Sequence, residues 1–303
     1  MPSTDQTARE TALLALSACE RQGAWSDGFL KKTLREAGLD SRDAALATRL
    51  CFGVLQNRLL LDFYIGKFST TRPEKMEIKV RNALRLGVYQ MAFMTKIPHN
   101  AAVNESVELT KKHCKNPRAA GMVNGVLRNV SRNIDRLPVI ESGSREEYLS
   151  IRYSHPLWLV QEFTALLGSE EAEALLEPDN GQPPITAQIN TCRATMEQTL
   201  ERLAEAGVEA QPHPWLPDCL VLSGTGNLEH LTAFREGLFY IQDPAARLAV
   251  EVADPKPGMK VLDACAAPGG KTFASAIQMG GEGEIQSCDI HAHKEKLIQA
   301  GAD

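Results

Sequence analysis

Val261-Leu262-Asp263-Ala264-Cys265-Ala266-Ala267-Pro268-Gly269-Gly270-Lys271 is the stretch that sets the fold class of the second half of this chain. Val261 and Leu262 follow the turn signal Pro255-Lys256-Pro257-Gly258 and read as the first strand of a parallel sheet buried on both faces. Pro268 ends the strand's hydrogen bonding, and Gly269 and Gly270 permit positive φ and leave no Cβ against a ligand. A helix over residues 271–279 then aims its free N–H groups at the crevice outside the strand's carboxyl end. A second strand over residues 284–288 leads to Asp289, where a carboxylate accepts both hydroxyls of a ribose. The plainer reading is a glycine-rich turn that only joins a strand to a helix. The order strand, turn, helix, strand, acid speaks against it.

Which nucleotide the turn suits follows from what it lacks. The fingerprint Gly-x-Gly-x-x-Gly is absent, because Ala266, Ala267 and Pro268 stand where its first glycines would be. That argues against a nicotinamide-dependent oxidoreductase, whereas S-adenosyl-L-methionine has no pyrophosphate to cradle. The string Asp263-Ala-Cys-Ala-Ala-Pro-Gly-Gly-Lys271-Thr272 resembles the cofactor motif of the RNA cytosine-C5 methyltransferases of the RsmB family, also called Fmu or Sun. The resemblance implies a Rossmann-like α/β methyltransferase domain that uses S-adenosyl-L-methionine. It assigns cofactor binding to Cys265, Ala266, Ala267, Pro268, Gly269, Gly270, Lys271 and Asp289. Doubly wound domains run to roughly 100 residues or more. Residues 243–303 are therefore expected to hold only the first strands of one, C-terminally truncated.

Composition bounds the rest. A chain of 303 residues that is 43% hydrophobic buries sizeable cores, and its length suggests two or three domains. Residues 1–9 are polar and no uninterrupted apolar run approaches membrane length, so the expectation is a cytoplasmic protein with no membrane partner. The 7 cysteines are scattered, with no Cys-x-x-Cys and no zinc spacing, and read as reduced thiols rather than metal ligands. Charge is unevenly spread. Up to Ile140 there are 22 Lys and Arg against 13 Asp and Glu; from Glu141 onward there are 11 against 25. A basic first half joined to an acidic second half fits a polyanion at one end, although a solvated helical face is also lysine-rich.

The first half reads as all helical. A 3.6-residue apolar rhythm runs over residues 5–21, 26–37, 41–66, 74–95, 101–113 and 117–133. Ser41 is placed to cap the third helix, Pro117 suits a helix start, and Gly38 and Gly66 fall where helices should stop. Six such helices form a compact bundle over residues 1–140. The bundle resembles the NusB-type RNA-binding domain of the same family. The residues that carry the likeness are Gly53-Val-Leu-Gln-Asn-Arg58, Leu61-Asp62, Arg85-Leu-Gly-Val-Tyr-Gln90, Ile97 to Val107 and Gly121 to Arg128. Asn104, Glu105, Asn124 and Arg128 are read either as caps of neighbouring helices or as phosphate contacts. His99 and His113 read as cap or surface residues, and Tyr89 with Phe93 as core rather than a base-stacking platform.

A helical linker is expected over residues 141–181, where Tyr153-Ser-His-Pro-Leu-Trp158 matches a string of the family and Trp158 is expected to anchor it on the methyltransferase side. Residues 182–242 read as a small α+β unit, with strands at 183–190, 219–222 and 238–241 and a helix over 195–206, resembling an accessory RNA-binding segment. Gln242-Asp243-Pro244 resembles the family's lead-in to the methyltransferase domain, and Asp243 suits a helix cap.

The resemblance also implies a chemistry. A cysteine thiolate adds to carbon 6 of cytosine, carbon 5 becomes able to attack the sulfonium methyl, and a base removes the carbon-5 proton. It places the nucleophile in a Thr-Cys motif and a second cysteine in an Asp-x-Pro-Cys motif. The chain has one Thr-Cys pair, Thr191-Cys192, upstream of the turn and so in the wrong order, and no Asp-x-Pro-Cys. The expectation is thus a monomeric member of a family that methylates C5 of a cytosine in 16S rRNA, with no catalytic residue among 1–303, no metal, and no activity of its own. The alternative is a non-enzymatic NusB-like RNA-binding or antitermination-type protein with a vestigial turn.

Overall fold

The computed structural model describes residues 6–22, 26–181 and 183–302. They form two compact units, Met1–Gly181 and Gln182–Asp303. Asp5, where the sequence places the start of the first helix, lies outside the described residues.

The first unit opens with a helical bundle: α1 (Ala8–Gln22), α2 (Ser26–Ala37), α3 (Ser41–Gln56), α4 (Arg58–Phe68), α5 (Ile78–Phe93), α6 (His99–His113) and α7 (Ala119–Arg132). The helix expected over residues 41–66 is in fact two. Asn57 leaves the helical conformation, and both its backbone N–H (3.1 Å) and its side-chain Nδ2 (2.9 Å) donate back to the Gly53 carbonyl, which ends α3. Gly66 therefore lies inside α4, while Gly38, at φ +62°, does follow the end of α2. Asp40, rather than Ser41, caps α3, its Oδ1 accepting from Asp43 N at 2.7 Å. Pro117 stands outside α7, whose flanking residue is Arg118.

Helix α5 runs through the middle of the bundle and touches α1, α3, α4, α6 and α7. Its apolar residues are buried nearly all round, Val80, Ala83, Leu84, Leu86, Val88 and Met91 among them. One polar knot sits in this core: the Arg85 guanidinium donates to both carboxylate oxygens of Asp62 (2.7 and 2.6 Å) and to Glu20 (3.2 Å). Glu20 also accepts from Arg81 at 2.5 Å.

Three further helices complete this unit: α8 (Arg145–Tyr153), α9 (Leu157–Leu167) and α10 (Ser169–Asp179). They close over a small core of Leu149, Val160 and Leu176. Ser144 caps α8, and Ser154, at φ 59°, ends it. The His155 ring bridges Tyr153 O (2.7 Å) and Asp179 Oδ2 (3.0 Å). Trp158, expected to act as an anchor, is 65% exposed.

The second unit begins with a four-stranded antiparallel sheet of order β2-β3-β1-β4, formed by β1 (Ile185–Ile189), β2 (Glu209–Pro212), β3 (Cys219–Ser223) and β4 (Phe239–Ile241). Helices α11 (Met196–Glu205) and α12 (Thr232–Arg235) accompany it, and Thr195 with Gln198 forms a capping box on α11. The core holds Ala187, Ile189, Leu203, Leu220, Leu222 and Phe239. The edge strand β2 was not foreseen, because Glu-Ala-Gln-Pro carries no apolar alternation.

Helix α13 (Pro244–Ala253) then leads to β5 (Lys260–Asp263), α14 (Gly270–Gln278), β6 (Glu284–Ser287) and α15 (Glu295–Ala302). Strands β5 and β6 pair in parallel, Asp263 opposite Ser287. The burial expected on both faces of β5 is not found. Leu262 is 64% exposed and Val261 half-buried, because the sheet has two strands here. The strand also ends at Asp263, five residues before Pro268.

Candidate cofactor site

The turn from Asp263 to Gly270 is tied down by its own sequence. Thr272 Oγ1, in the first turn of α14, donates to Asp263 Oδ2 at 2.8 Å and lies 3.0 Å from Ser287 Oγ. One hydroxyl thus joins the ends of both strands to the start of the helix. Cys265 N donates to Asp263 Oδ1 (3.3 Å), and Ala266 N to the Cys288 carbonyl (2.8 Å). Asp263, Thr272 and Ser287 were not singled out from sequence as structural residues. The signal for the first two was their place at either end of the motif.

The structure brings the sequence-expected residues to one place and divides their roles. Ala267 N donates to Asp289 Oδ2 at 3.2 Å, and His291 N to Asp289 Oδ1 at 3.0 Å. These backbone donors, His291 first, hold the Asp289 carboxyl below its ordinary value. An ionised carboxylate has about four acceptor sites. Two are in use, which leaves capacity for a ligand's hydroxyls. Cys265, Pro268 and Lys271 are exposed at the turn, and Ala266 is buried beneath it.

The glycines behave differently from expectation. Gly269 alone has positive φ (+119°), and a Cβ there would meet the ring of its own helix's Phe273, 2.2 Å from Cζ. Both that backbone conformation and the Phe273 ring therefore call for glycine at this position. Gly270 is the first residue of α14, and a Cβ there would stand 3.3 Å from Gln242 Nε2. The N–H groups of Gly270, Lys271 and Thr272 have no acceptor among the described residues, as befits a helix start with no side-chain cap. Donors at one edge and an acidic acceptor at the other fit a ligand with an anion at one end and hydroxyls at the other. S-Adenosyl-L-methionine is such a molecule.

Cys192 is exposed, and its Sγ lies 3.9 Å from the Ile277 carbonyl, near the far end of α14. Seven residues of helix, about 10 Å at 1.5 Å per residue, separate that end from Gly270. Cys265 is at the turn itself, its sulfur free and exposed. In the bundle, Asn104, Glu105 and Arg128 are exposed, and Arg128 Nε donates to Asn124 Oδ1 (2.9 Å). His113 is an interhelix partner, its Nε2 2.7 Å from Glu10 of α1, while His99 lies in the first turn of α6. Tyr89 is core, but Phe93, stacked on it at 5.3 Å, is 38% exposed. Among the described residues no helix is long and apolar enough to cross a membrane, and no group of three His, Cys, Asp or Glu could hold a metal ion.

Residues 6–132 match the NusB family, and residues 155–229 match the Methyltr_RsmF/B-like, ferredoxin-like domain. The chain is 36% identical over 297 residues to a probable ribosomal RNA small subunit methyltransferase B of Bacillus subtilis (strain 168), covering 97% of this chain and 65% of that protein. It is 32% identical over 282 residues to the ribosomal RNA small subunit methyltransferase B of Escherichia coli O1:K1 / APEC, covering 93% and 63%. The chain thus spans just under two thirds of the length of these relatives. The crystal structure of PH0851 superposes with a TM-score of 0.72 at 23% identity, over 99% of this chain and 67% of that one, and so shares its fold.

Proposed function

We propose, on the footing that this chain belongs to the ribosomal RNA small subunit methyltransferase B family, that it serves methyl transfer from S-adenosyl-L-methionine to carbon 5 of a cytosine in 16S rRNA. Membership rests on the NusB and ferredoxin-like matches and on relatives at 31–36% identity over most of the chain. The observation that carries the cofactor reading is the Ala267–Asp289 hydrogen bond, which puts an acidic acceptor against a glycine turn and a helix start with free donors. When bound, the cofactor supplies an electrophilic methyl group. The chain's own residues orient it: Asp289 accepts from ribose hydroxyls, and the open end of α14 takes the negative end. Residues 182–242 and 243–303 are read as the accessory segment and as part of the catalytic domain.

RNA binding falls to the basic first half, where Lys and Arg displace condensed counterions. Neither Cys192, about a helix length from the turn, nor Cys265, in the cofactor's own loop, is read as the attacking cysteine. The chain alone therefore transfers no methyl group. That same observation favours a second reading, RNA binding without chemistry by the NusB-like bundle.

Equilibrium dialysis against labelled S-adenosyl-L-methionine and filter binding to 16S rRNA across a salt series separate the two. Salt-sensitive RNA binding together with cofactor binding supports the methyltransferase reading. RNA binding with no cofactor bound at millimolar concentration would sink it in favour of the second. Tritium appearing at cytosine C5 with this chain alone would overturn this reading of the two cysteines.

A further inference from the structure

Gln242 stands just before α13, on the loop that leaves β4, and its main chain is fixed from both sides. Its N–H donates to the Thr186 carbonyl at 3.2 Å, and its carbonyl accepts from Thr186 Oγ1 at 2.7 Å. Its side chain is fixed too, because Tyr240 Oη donates to Gln242 Oε1 at 3.2 Å. Burial pushes the Tyr240 phenol up, so the hydroxyl keeps its proton and stays a donor. The residue is only 6% exposed, yet its Nε2 has no hydrogen-bond partner. A buried amide donor without an acceptor is costly, and native structures rarely keep one without a use.

The place where that donor lies suggests the use. Nε2 lies 3.3 Å from where a Cβ of Gly270 would be, so no side chain separates the amide from the start of α14. The N–H groups of Gly270, Lys271 and Thr272, in the first turn of the same helix, are also without acceptors among the described residues. Four donors with no acceptor form a place for an anion. Asp289, a carboxylate, repels an anion and suits hydroxyls, so the two edges of the turn call for opposite ends of one ligand. S-Adenosyl-L-methionine carries a single anionic group, the carboxylate of its amino-acid end.

Resting on the cofactor reading above, we propose that Gln242 recognises the amino-acid carboxylate of the cofactor, its Nε2 completing a donor set begun by the N-terminus of α14. Tyr240 is the positioning residue that turns the amide so that the nitrogen faces the glycine. Gln242 then discriminates between ligands with the amino-acid end and those without it, and contributes little to the adenosine end.

The test compares two ligands on the full 303-residue chain by ligand-observed NMR, which reads weak binding: S-adenosylhomocysteine, which has the amino-acid end, and 5′-methylthioadenosine, which lacks it. The wild type is expected to prefer S-adenosylhomocysteine. Gln242→Met, similar in shape but without the donor, should weaken S-adenosylhomocysteine at least tenfold, to the level of methylthioadenosine, and leave methylthioadenosine unchanged. Gln242→Glu, which keeps the acceptor for Tyr240 and adds a negative charge, should weaken S-adenosylhomocysteine further, again with methylthioadenosine unchanged. An equal fall for both ligands, or a lost thermal transition, would show that the amide only supports the turn or caps α14, and would overturn the proposal. So would no change in either. A wild type that binds neither ligand would overturn the cofactor reading itself, and this inference with it.

Discussion

Tyr89 of α5 occupies the space that a side chain on Gly53 of α3 would need: a Cβ built on Gly53 would stand 2.0 Å from Tyr89 Cζ and 2.1 Å from its hydroxyl oxygen. The two helices approach closely enough that one must lack a side chain for the other to bury an aromatic ring. Tyr89 is 7% exposed and ringed by neighbours, so it has little room to move. Gly53→Ala is expected to destabilise the bundle by about 1–3 kcal/mol, the usual cost of overpacking. Adding Tyr89→Leu should recover part of the loss, as urea unfolding of the single and double variants will show. If Gly53→Ala alone leaves the midpoint unchanged, the close approach does not exist in solution.

The Arg85–Asp62 pair gives a second expectation. Arg85's side chain is 5% exposed and Asp62's 19%, and the contact is two-pronged, with Glu20 as a third member. Removing Asp62 leaves the buried guanidinium with only Glu20 and Asn82 for partners, at a cost that approaches the roughly 3–5 kcal/mol of a broken buried pair. Asp62→Ala should therefore be far more harmful than an ordinary surface change. The double variant Asp62→Ala with Arg85→Met should cost less than Asp62→Ala alone, because it removes the stranded charge. A double variant less stable than Asp62→Ala would show that the pair is not the source of the loss.

Glu10 gives a pH dependence. Burial raises its carboxyl pKa, but hydrogen bonds and charge from Lys112 and His113 outweigh it, and the net value lies below the ordinary 4.5. A carboxylate whose folded value is depressed stabilises the fold fully above its ordinary value, and that stability is lost as pH falls through the folded one. Glu20, depressed by Arg85 and Arg81 against its own burial, acts in the same direction. Glu10→Gln is expected to cost about 1–3 kcal/mol at neutral pH. The gap to wild type should close as the pH drops from 5 toward 3. A thermal-midpoint series over that range checks it; a gap that stays constant would mean the carboxylate's charge plays no part.

Much of this architecture was legible in the sequence, for reasons that differ by element. Helices α5 and α7 announced themselves by apolar spacing, and the strand–turn–helix after Lys260 by its glycines and by Asp289. The break at Asn57 did not, because the apolar rhythm runs straight through it and only the doubled hydrogen bond to the Gly53 carbonyl ends the helix. Strand β2 was silent because an edge strand needs no apolar face. At the site, position and chemistry parted company. The residues of the turn were named from sequence, but Gly269's debt to Phe273 and the stranded amide of Gln242 depend on tertiary contacts that no local pattern reports.

The final expectation concerns where the chain is held least firmly. Between residues 243 and 302 the buried hydrophobic side chains are few, Val250, Ala266, Ala274 and Met279, and none belongs to the three core clusters. Leu262 and Ile290 are among the apolar side chains left in solvent there, and β5–β6 is a two-stranded sheet with open edges. Two strands without a covered face hold their ladder weakly. Amide hydrogens of β5, β6 and α15 are therefore expected to exchange well before those of α5 or β1, by opening locally rather than through global unfolding. The Thr272–Asp263 and Ala267–Asp289 bonds are among those that tie this segment together, so Thr272→Val should speed its exchange further and leave α5 untouched. Hydrogen exchange read by mass spectrometry along the chain resolves both effects. Protection across residues 260–302 equal to that of α5 would mean that Leu262 and Ile290 are covered in solution by something outside the fold described above, such as a second copy of the chain.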